Sequence, residues 1–179
     1  MKGIILYKGK YGATRQYAGW LRDELELPLV ISTNCTKEEI VQSDIIIAGS
    51  SVYIGKLLIG KWLKSNLQLL QNKKIFLFVV SGTPPDEKQK LQTYIQSSVP
   101  GEIRGQCRIH FLPGRMVYKK LSLLDKFMLR IGAMLSKEPE AKTTMLTDYD
   151  LVKKENLDEL LRDIKRFSAP EMKPELQHS

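Results

Sequence analysis

Ile4-Ile5-Leu6-Tyr7-Lys8-Gly9-Lys10-Tyr11-Gly12-Ala13-Thr14 is the stretch that decides how this chain is read. Its apolar start has the length of a buried strand. From about residue 15 to residue 26 the pattern turns helical, with Tyr17, Ala18, Leu21 and Leu25 recurring at intervals of three and four. Between strand and helix lies a glycine-bearing turn. Such a turn presents free backbone N–H groups and the positive end of a helix dipole, an arrangement that suits an anion, most often a phosphate.

The same alternation continues outward. Leu29-Val30-Ile31, Ile45-Ile46-Ile47-Ala48, residues 74–80 and residues 108–112 read as four more strands. Thr36 and Glu39 form a capping box that opens a short helix. Further helices are expected over residues 57–70, with Leu58, Trp62, Leu63, Leu67 and Leu70 inward, and over residues 86–97. A last one lies between residues 150 and 167, with Leu157, Leu160, Leu161 and Ile164 on its core face. Five strands alternating with helices imply an α/β fold: a doubly wound, five-stranded parallel sheet of order 2-1-3-4-5 with helices on both faces. Ligands of such sheets bind beyond the carboxyl ends of the strands, at the switch point. Three loops rich in Gly, Ser and Thr leave those ends: residues 9–14, 49–55 and 81–85.

The chain has 179 residues, enough for one domain over residues 1–179, and a net charge of +8 that favours anionic partners. Cys35 and Cys107 match no disulfide framework or metal spacing, which suggests a reduced, cytoplasmic setting. Neither has a base beside it in sequence, and His110 reads as a structural residue in a buried strand. No metal site and no catalytic side chain is expected. Without a motif that reads bases, nucleic acid is not an expected partner. No signal segment and no spanning helix is expected either.

An insert, about residues 113–147, separates the fifth strand from the last helix. Residues 121–135 read as an amphipathic helix, with Leu121, Leu124, Met128, Ile131 and Leu135 on one stripe. Arg115, Lys119, Lys120, Lys126, Arg130 and Lys137 surround it, opposed only by Asp125. A long insert in a compact domain suggests a functional role. The polar tail from about residue 169 to residue 179 is expected to fray.

The opening strand, loop and helix, the sheet order and the Ser-rich loop after the third strand resemble flavodoxins, which bind FMN. The later run Pro113-Gly114-Arg115…Tyr118…Asp125-Lys126-Phe127-Met128…Ile131…Met134, then Thr147-Asp148-Tyr149, resembles the flavodoxin-like, menaquinone-dependent protoporphyrinogen dehydrogenases of bacterial haem synthesis. The first resemblance implies a phosphate loop at Gly9, Lys10, Tyr11, Gly12, Ala13 and Thr14, although Gly9 and Tyr11 stand where the family has small hydroxyl residues. It also implies flavin contacts at Ser51, Val52, Tyr53, Ile54 and Gly55, with Tyr53 stacking on the ring, and backbone contacts at Ser81, Gly82 and Thr83. The second implies an FMN-dependent, quinone-linked dehydrogenase. Its anionic tetrapyrrole substrate or a membrane surface would meet Arg115, Lys119, Lys120, Lys126 and Arg130. A membrane quinone makes peripheral contact with the inner face of the membrane attractive. Two alternatives remain on the same fold: an electron-carrying flavodoxin, whose relatives are acidic where this chain is basic, and a non-redox binding module that has lost the flavin.

Overall fold

Strand residues of alternating direction sort into two cores. Ile4, Leu6, Ile46, Ala48, Leu77 and Val79 face one way; Ile5, Ile47, Phe76 and Phe78 face the other. Side chains two apart share a face in a strand, so a run apolar at every position must be covered on both sides. The computed structural model, which describes residues 2–135 and 147–168, shows that cover.

The sheet is built from β1 (Gly3–Lys8), β2 (Leu29–Ile31), β3 (Ile45–Tyr53), β5 (Lys74–Ser81) and β6 (Cys107–Pro113). Its order is β2-β1-β3-β5-β6, and those five strands run parallel. This is the expected doubly wound α/β fold, with the two-residue strand β4 (Lys56–Leu57) added on β3. Helices α1 (Ala13–Leu25) and α8 (Asp158–Ser168) cover one face through Tyr17, Leu21, Leu160 and Ile164. The other face is covered by α2 (Lys37–Gln42), α3 (Gly60–Ser65), α4 (Leu67–Leu70), α5 (Lys88–Ser98) and α6 (Gly101–Arg104). The capping box is present: Thr36 Oγ1 accepts from the Glu39 N–H at 3.2 Å, and Glu39 Oε2 accepts from the Thr36 N–H at 2.7 Å.

Several boundaries differ from expectation. The loop expected at residues 49–55 is mostly strand. Gly49, Ser50 and Ser51 pair with Phe78, Val79 and Val80 of β5, and only Ile54 and Gly55 turn, into β4. Both have positive φ (47° and 70°), as a two-residue hairpin of the primed type requires. A β-branched residue is strained there. Leu57 therefore belongs to a strand, and the helix expected from it is split into α3 and α4. Asn66 makes the break, its side-chain amide donating to the Trp62 carbonyl at 2.9 Å. The helix expected from residue 86 starts at Lys88, after a turn closed by the Glu87 N–H on the Pro84 carbonyl. Helix α6 lay below the length at which periodicity is legible.

The insert starts with β7 (Arg115–Met116), which pairs antiparallel with β8 (Tyr149–Asp150) and so closes its base. Helix α7 (Leu123–Leu135) begins two residues later than expected, because Ser122 caps it: Ser122 Oγ accepts from the Asp125 N–H at 3.2 Å. The residues of the apolar stripe differ in burial. Leu121 is buried, but Leu124, Met128 and Ile131 are exposed. Leu135 is described only as helix backbone, and Lys137, the insert to residue 146 and the tail from residue 169 lie outside the described residues. Among the described residues no helix is long and apolar enough to cross a membrane.

Gly49 marks the tightest point between β3 and the core. A Cβ there would lie 2.1 Å from the Phe78 ring. Gly49→Ala should destabilise the fold by about 1–3 kcal/mol, as overpacking does; urea denaturation measures it, and an unchanged midpoint would show that the Phe78 ring yields freely.

Candidate functional site

Strands β1, β3 and β5 end at one edge of the sheet, and their loops converge there. After Lys8 the chain turns through Gly12, whose φ of 89° favours glycine, into α1. The first helical bond runs from the Gln16 N–H to the Gly12 carbonyl at 3.0 Å. The N–H groups of Ala13, Thr14 and Arg15 therefore lack helical acceptors and remain available. A Cβ on Gly9 would lie 2.8 Å from Thr14 Oγ1, so a serine at position 9 would displace the Thr14 hydroxyl. This loop places its hydroxyl from position 14 instead.

Thr14 is 1% exposed and its hydroxyl has no hydrogen-bond partner; Ser51 on β3 is half-buried, but its hydroxyl oxygen is likewise buried without a partner. Buried hydroxyls without partners are rare. Both line a single cleft of about 380 Å3, bounded further by Lys10, Tyr53, Gly82 and, from the insert, Arg115, Asp125 and Tyr149. The cleft lies in the roughly 300–1,000 Å3 range of small-molecule and cofactor sites.

One carboxylate organises its polar end. Asp125, near the start of α7, is 6% exposed. Its Oδ2 accepts from Lys10 Nζ at 2.7 Å and from the Tyr11 hydroxyl, and its Oδ1 accepts from the Tyr53 hydroxyl at 2.7 Å. A buried carboxylate persists when paired and hydrogen-bonded in this way. Lys10 Nζ also lies 3.8 Å from the centroid of the Tyr53 ring, a cation–π contact that covers one face of that ring. Burial alone would lower the Lys10 pKa; the hydrogen bonds and charges of Asp125 and Tyr53 outweigh it and hold the ammonium above its ordinary range.

Arg115 donates Nη2 to Gln16 Oε1, and its Nε faces Asp150 Oδ2 at 3.3 Å as an ion pair without hydrogen-bond alignment. Tyr149 is pushed up in pKa by burial. Its hydroxyl rests against Gly82, where a Cβ would lie 2.0 Å from the oxygen. Beyond Tyr149 is a second, mostly apolar cleft of about 480 Å3, lined by Thr83, Pro84 and Phe111 among others.

Most of the expected cofactor residues therefore meet in one place. Lys10, Tyr11, Ala13, Thr14, Ser51, Val52, Tyr53, Ile54, Ser81 and Gly82 line the cleft. Gly9, Gly12 and Gly55 shape its loops from outside the lining, and Thr83 faces the neighbouring cleft. Of the five candidate cations only Arg115 lines it. Lys119 and Lys120 are exposed on a short 3-10 turn. Lys126 donates to the Lys119 carbonyl at 3.4 Å, and Arg130 donates to the Tyr118 hydroxyl at 3.1 Å. Asp125 and Tyr149 were not anticipated as cleft residues. The one signal for Asp125 was its isolation among the insert's cations; Tyr149 had none, since it reaches the cleft only through the β7–β8 pairing.

His110 lies on the half-buried edge strand β6 rather than in a buried strand, its Nε2 3.2 Å from Asp163 Oδ2, and does not line the cleft. Asp148 accepts from the Tyr118 N–H at 2.7 Å and so caps the 3-10 turn at residue 118. Among the described residues no cluster of His, Cys, Asp and Glu could hold a metal ion.

The strand-loop-helix opening and the cleft at the switch point define a doubly wound α/β domain. A family model described as a flavodoxin domain matches residues 4–144, and the chain belongs to that family. Among solved structures, the Trp repressor binding protein of Bacillus subtilis is similar at 16% identity and a TM-score of 0.49, over 76% of this chain and 99% of that one. A flavodoxin from the domain Archaea is similar at 15% identity and a TM-score of 0.43, over 63% and 83%. Oxidised flavodoxin 2 of Bacillus cereus is similar at 18% identity and a TM-score of 0.39, over 63% and 86%. No curated protein sequence matches the chain.

Burial pushes both thiols, Cys35 and Cys107, from 9.0 up to about 11. At pH 8 only on the order of one thiol in a thousand is then the reactive thiolate. A group whose folded pKa is raised stabilises the fold below its unfolded value and loses that contribution as pH climbs. Native protein should react with a disulfide reagent at pH 8 far more slowly than urea-unfolded protein, and stability should fall between pH 9 and about 11. Equal thiol rates would refute the shielding.

Proposed function

We propose that this chain is an FMN-dependent oxidoreductase and, within that class, a quinone-linked dehydrogenase of protoporphyrinogen IX acting in haem biosynthesis. One observation carries the flavin reading: two buried, unpartnered hydroxyls, Thr14 and Ser51, open onto one cleft beside free N–H groups at the start of α1. The residues present fit the group. When bound, FMN supplies the redox chemistry, and the protein supplies binding, orientation and electrostatics.

The N–H groups at the start of α1 and Thr14 Oγ1 would receive the phosphate, and Lys10 would balance its charge. Ser51 offers a hydroxyl further along the cleft. Tyr53 and Tyr149 offer aromatic walls, Tyr53 on the face that Lys10 leaves open. The backbone of Ser81 and Gly82 would face the polar edge of the ring system, while Thr83 lines the neighbouring cleft. No side chain of the chain is needed as a nucleophile.

The substrate reading rests on resemblance and on charge. Arg115, Lys119, Lys120, Lys126 and Arg130 would attract the propionates of a tetrapyrrole. Leu124, Phe127 and Met134 stand exposed on α7 beside Lys126 and Arg130. A basic helix with exposed apolar residues suits an anionic membrane surface, where a menaquinone acceptor would be met from the cytoplasmic side. A flavodoxin that only carries electrons would share the cleft, but the net charge of +8 speaks against it. A non-redox module is favoured by one observation, the prior engagement of Lys10, Tyr11 and Tyr53 by Asp125.

The visible spectrum of protein supplied with FMN decides first. Two flavin bands that stay with the protein are expected, and a colourless protein that takes up no FMN would favour the non-redox module. Thr14→Ala should then weaken FMN binding by about 10- to 100-fold, the effect of one hydrogen bond to a charged group. Turnover of protoporphyrinogen with a menaquinone analogue is expected to slow in a Lys119/Lys120/Lys126→Glu variant. No turnover by a flavin-loaded protein would leave the electron carrier, and equal rates would remove the insert's charge from the mechanism.

A further inference from the structure

The insert reaches into the anion-binding loop with a charge of the ligand's own sign. Lys10 and Tyr11 belong to the loop that leads into α1, and both are engaged by the Asp125 carboxylate of α7, together with Tyr53 at the end of β3. Beside them Thr14, 1% exposed, keeps an unpartnered hydroxyl in the same cleft. A phosphate monoester carries a charge of about −1.5 to −2. Brought into the cleft within reach of Lys10, it would face the Asp125 carboxylate across one cation, and two anions in such a site cannot both be satisfied. The other ties of the first turns of α7 are few and mostly long: the Ser122 N–H donates to the same Tyr11 hydroxyl at 3.5 Å, Lys126 donates to the Lys119 carbonyl at 3.4 Å, and Leu121 just before the helix is buried, whereas Leu123, Leu124 and Phe127 are exposed.

We propose that Asp125 is an internal competitor for the ligand's phosphate: occupancy of the loop takes Lys10 and Tyr11 from Asp125 and releases the N-terminal turns of α7. The insert is thereby a latch whose position reports whether the cleft is filled. By linkage the effect is reciprocal, so whatever draws α7 away from the cleft strengthens phosphate binding by the same factor. The inference rests on the FMN reading for the identity of the ligand but not for the competition itself, which any phosphate would reveal.

The test measures FMN and riboflavin affinity by flavin fluorescence in the wild type, Asp125→Asn and Asp125→Ala, with amide hydrogen exchange of residues 122–132 followed alongside. FMN should bind both variants about tenfold more tightly than the wild type. Because Asp125 also holds Tyr53, riboflavin, which lacks the phosphate, serves as the reference: the ratio of FMN to riboflavin affinity should rise about tenfold in both variants, and an unchanged ratio would overturn the latch. FMN, and inorganic phosphate at high concentration, should speed exchange across the start of α7 in the wild type and not in the variants. Variants that bind FMN equally or more weakly would overturn the latch, as would wild-type exchange that stays constant or slows on filling the site. If no protein binds FMN, the flavin reading fails, and phosphate-driven exchange alone decides the latch.

Discussion

Strands β3 and β5 sit at the centre of the sheet with apolar side chains on both faces, and this double burial is the constraint on which the rest of the structure depends. Ile46 and Leu77 must be covered on one side, Ile47 and Phe76 on the other. A parallel sheet meets that demand only by crossovers that carry helices to both faces. The crossovers bring every strand to the same edge in the same direction. The cleft lies where β1 and β3 end side by side while their connections lead to opposite faces. Its position thus follows from the hydrophobic demand of strands that never touch a ligand.

Within the cleft, polar groups are distributed unevenly. The loop between β1 and α1 has free N–H groups and a buried hydroxyl without a partner, whereas its lysine and tyrosine are committed to Asp125. An anion site left wholly unpaired would leave Lys10 partly buried beside two tyrosines with no counter-charge. Asp125 supplies one from 115 residues away in sequence. The insert that carries it is tied down at its base by the β7–β8 pairing, while α7 turns Leu123, Phe127 and Met134 to solvent. Among the described residues α7 thus buries a carboxylate at its start while several of its large apolar side chains face solvent, the reverse of the usual surface helix.

Local signals were legible where they were strong. The apolar strands, the capping box at Thr36 and Glu39, and the core positions of the final helix all follow from period and composition. The third strand was cut short at Ala48 because Gly49, Ser50 and Ser51 read as loop residues. In the sheet they are strand residues with a packing purpose, Gly49 making room for Phe78. The stripe on α7 was legible as an amphipathic pattern, but a pattern states only that a face is apolar, not that the fold has a surface to place against it.

The chain by itself determined the class: alternating strands and helices, their order, and three loops at the carboxyl edge, because these depend on local propensity and on the burial of apolar runs. It also marked eleven of the cleft's residues, Arg115 among them, since loop residues follow the strands that position them. Only the tertiary structure decided which groups meet there. Asp125 faces Lys10, Tyr11 and Tyr53 because the insert folds back over the cleft, and Tyr149 rests on Gly82 because β8 pairs with β7. Contacts between residues so distant in sequence depend on chain geometry and the balance of buried charge, and neither leaves a periodic trace in sequence.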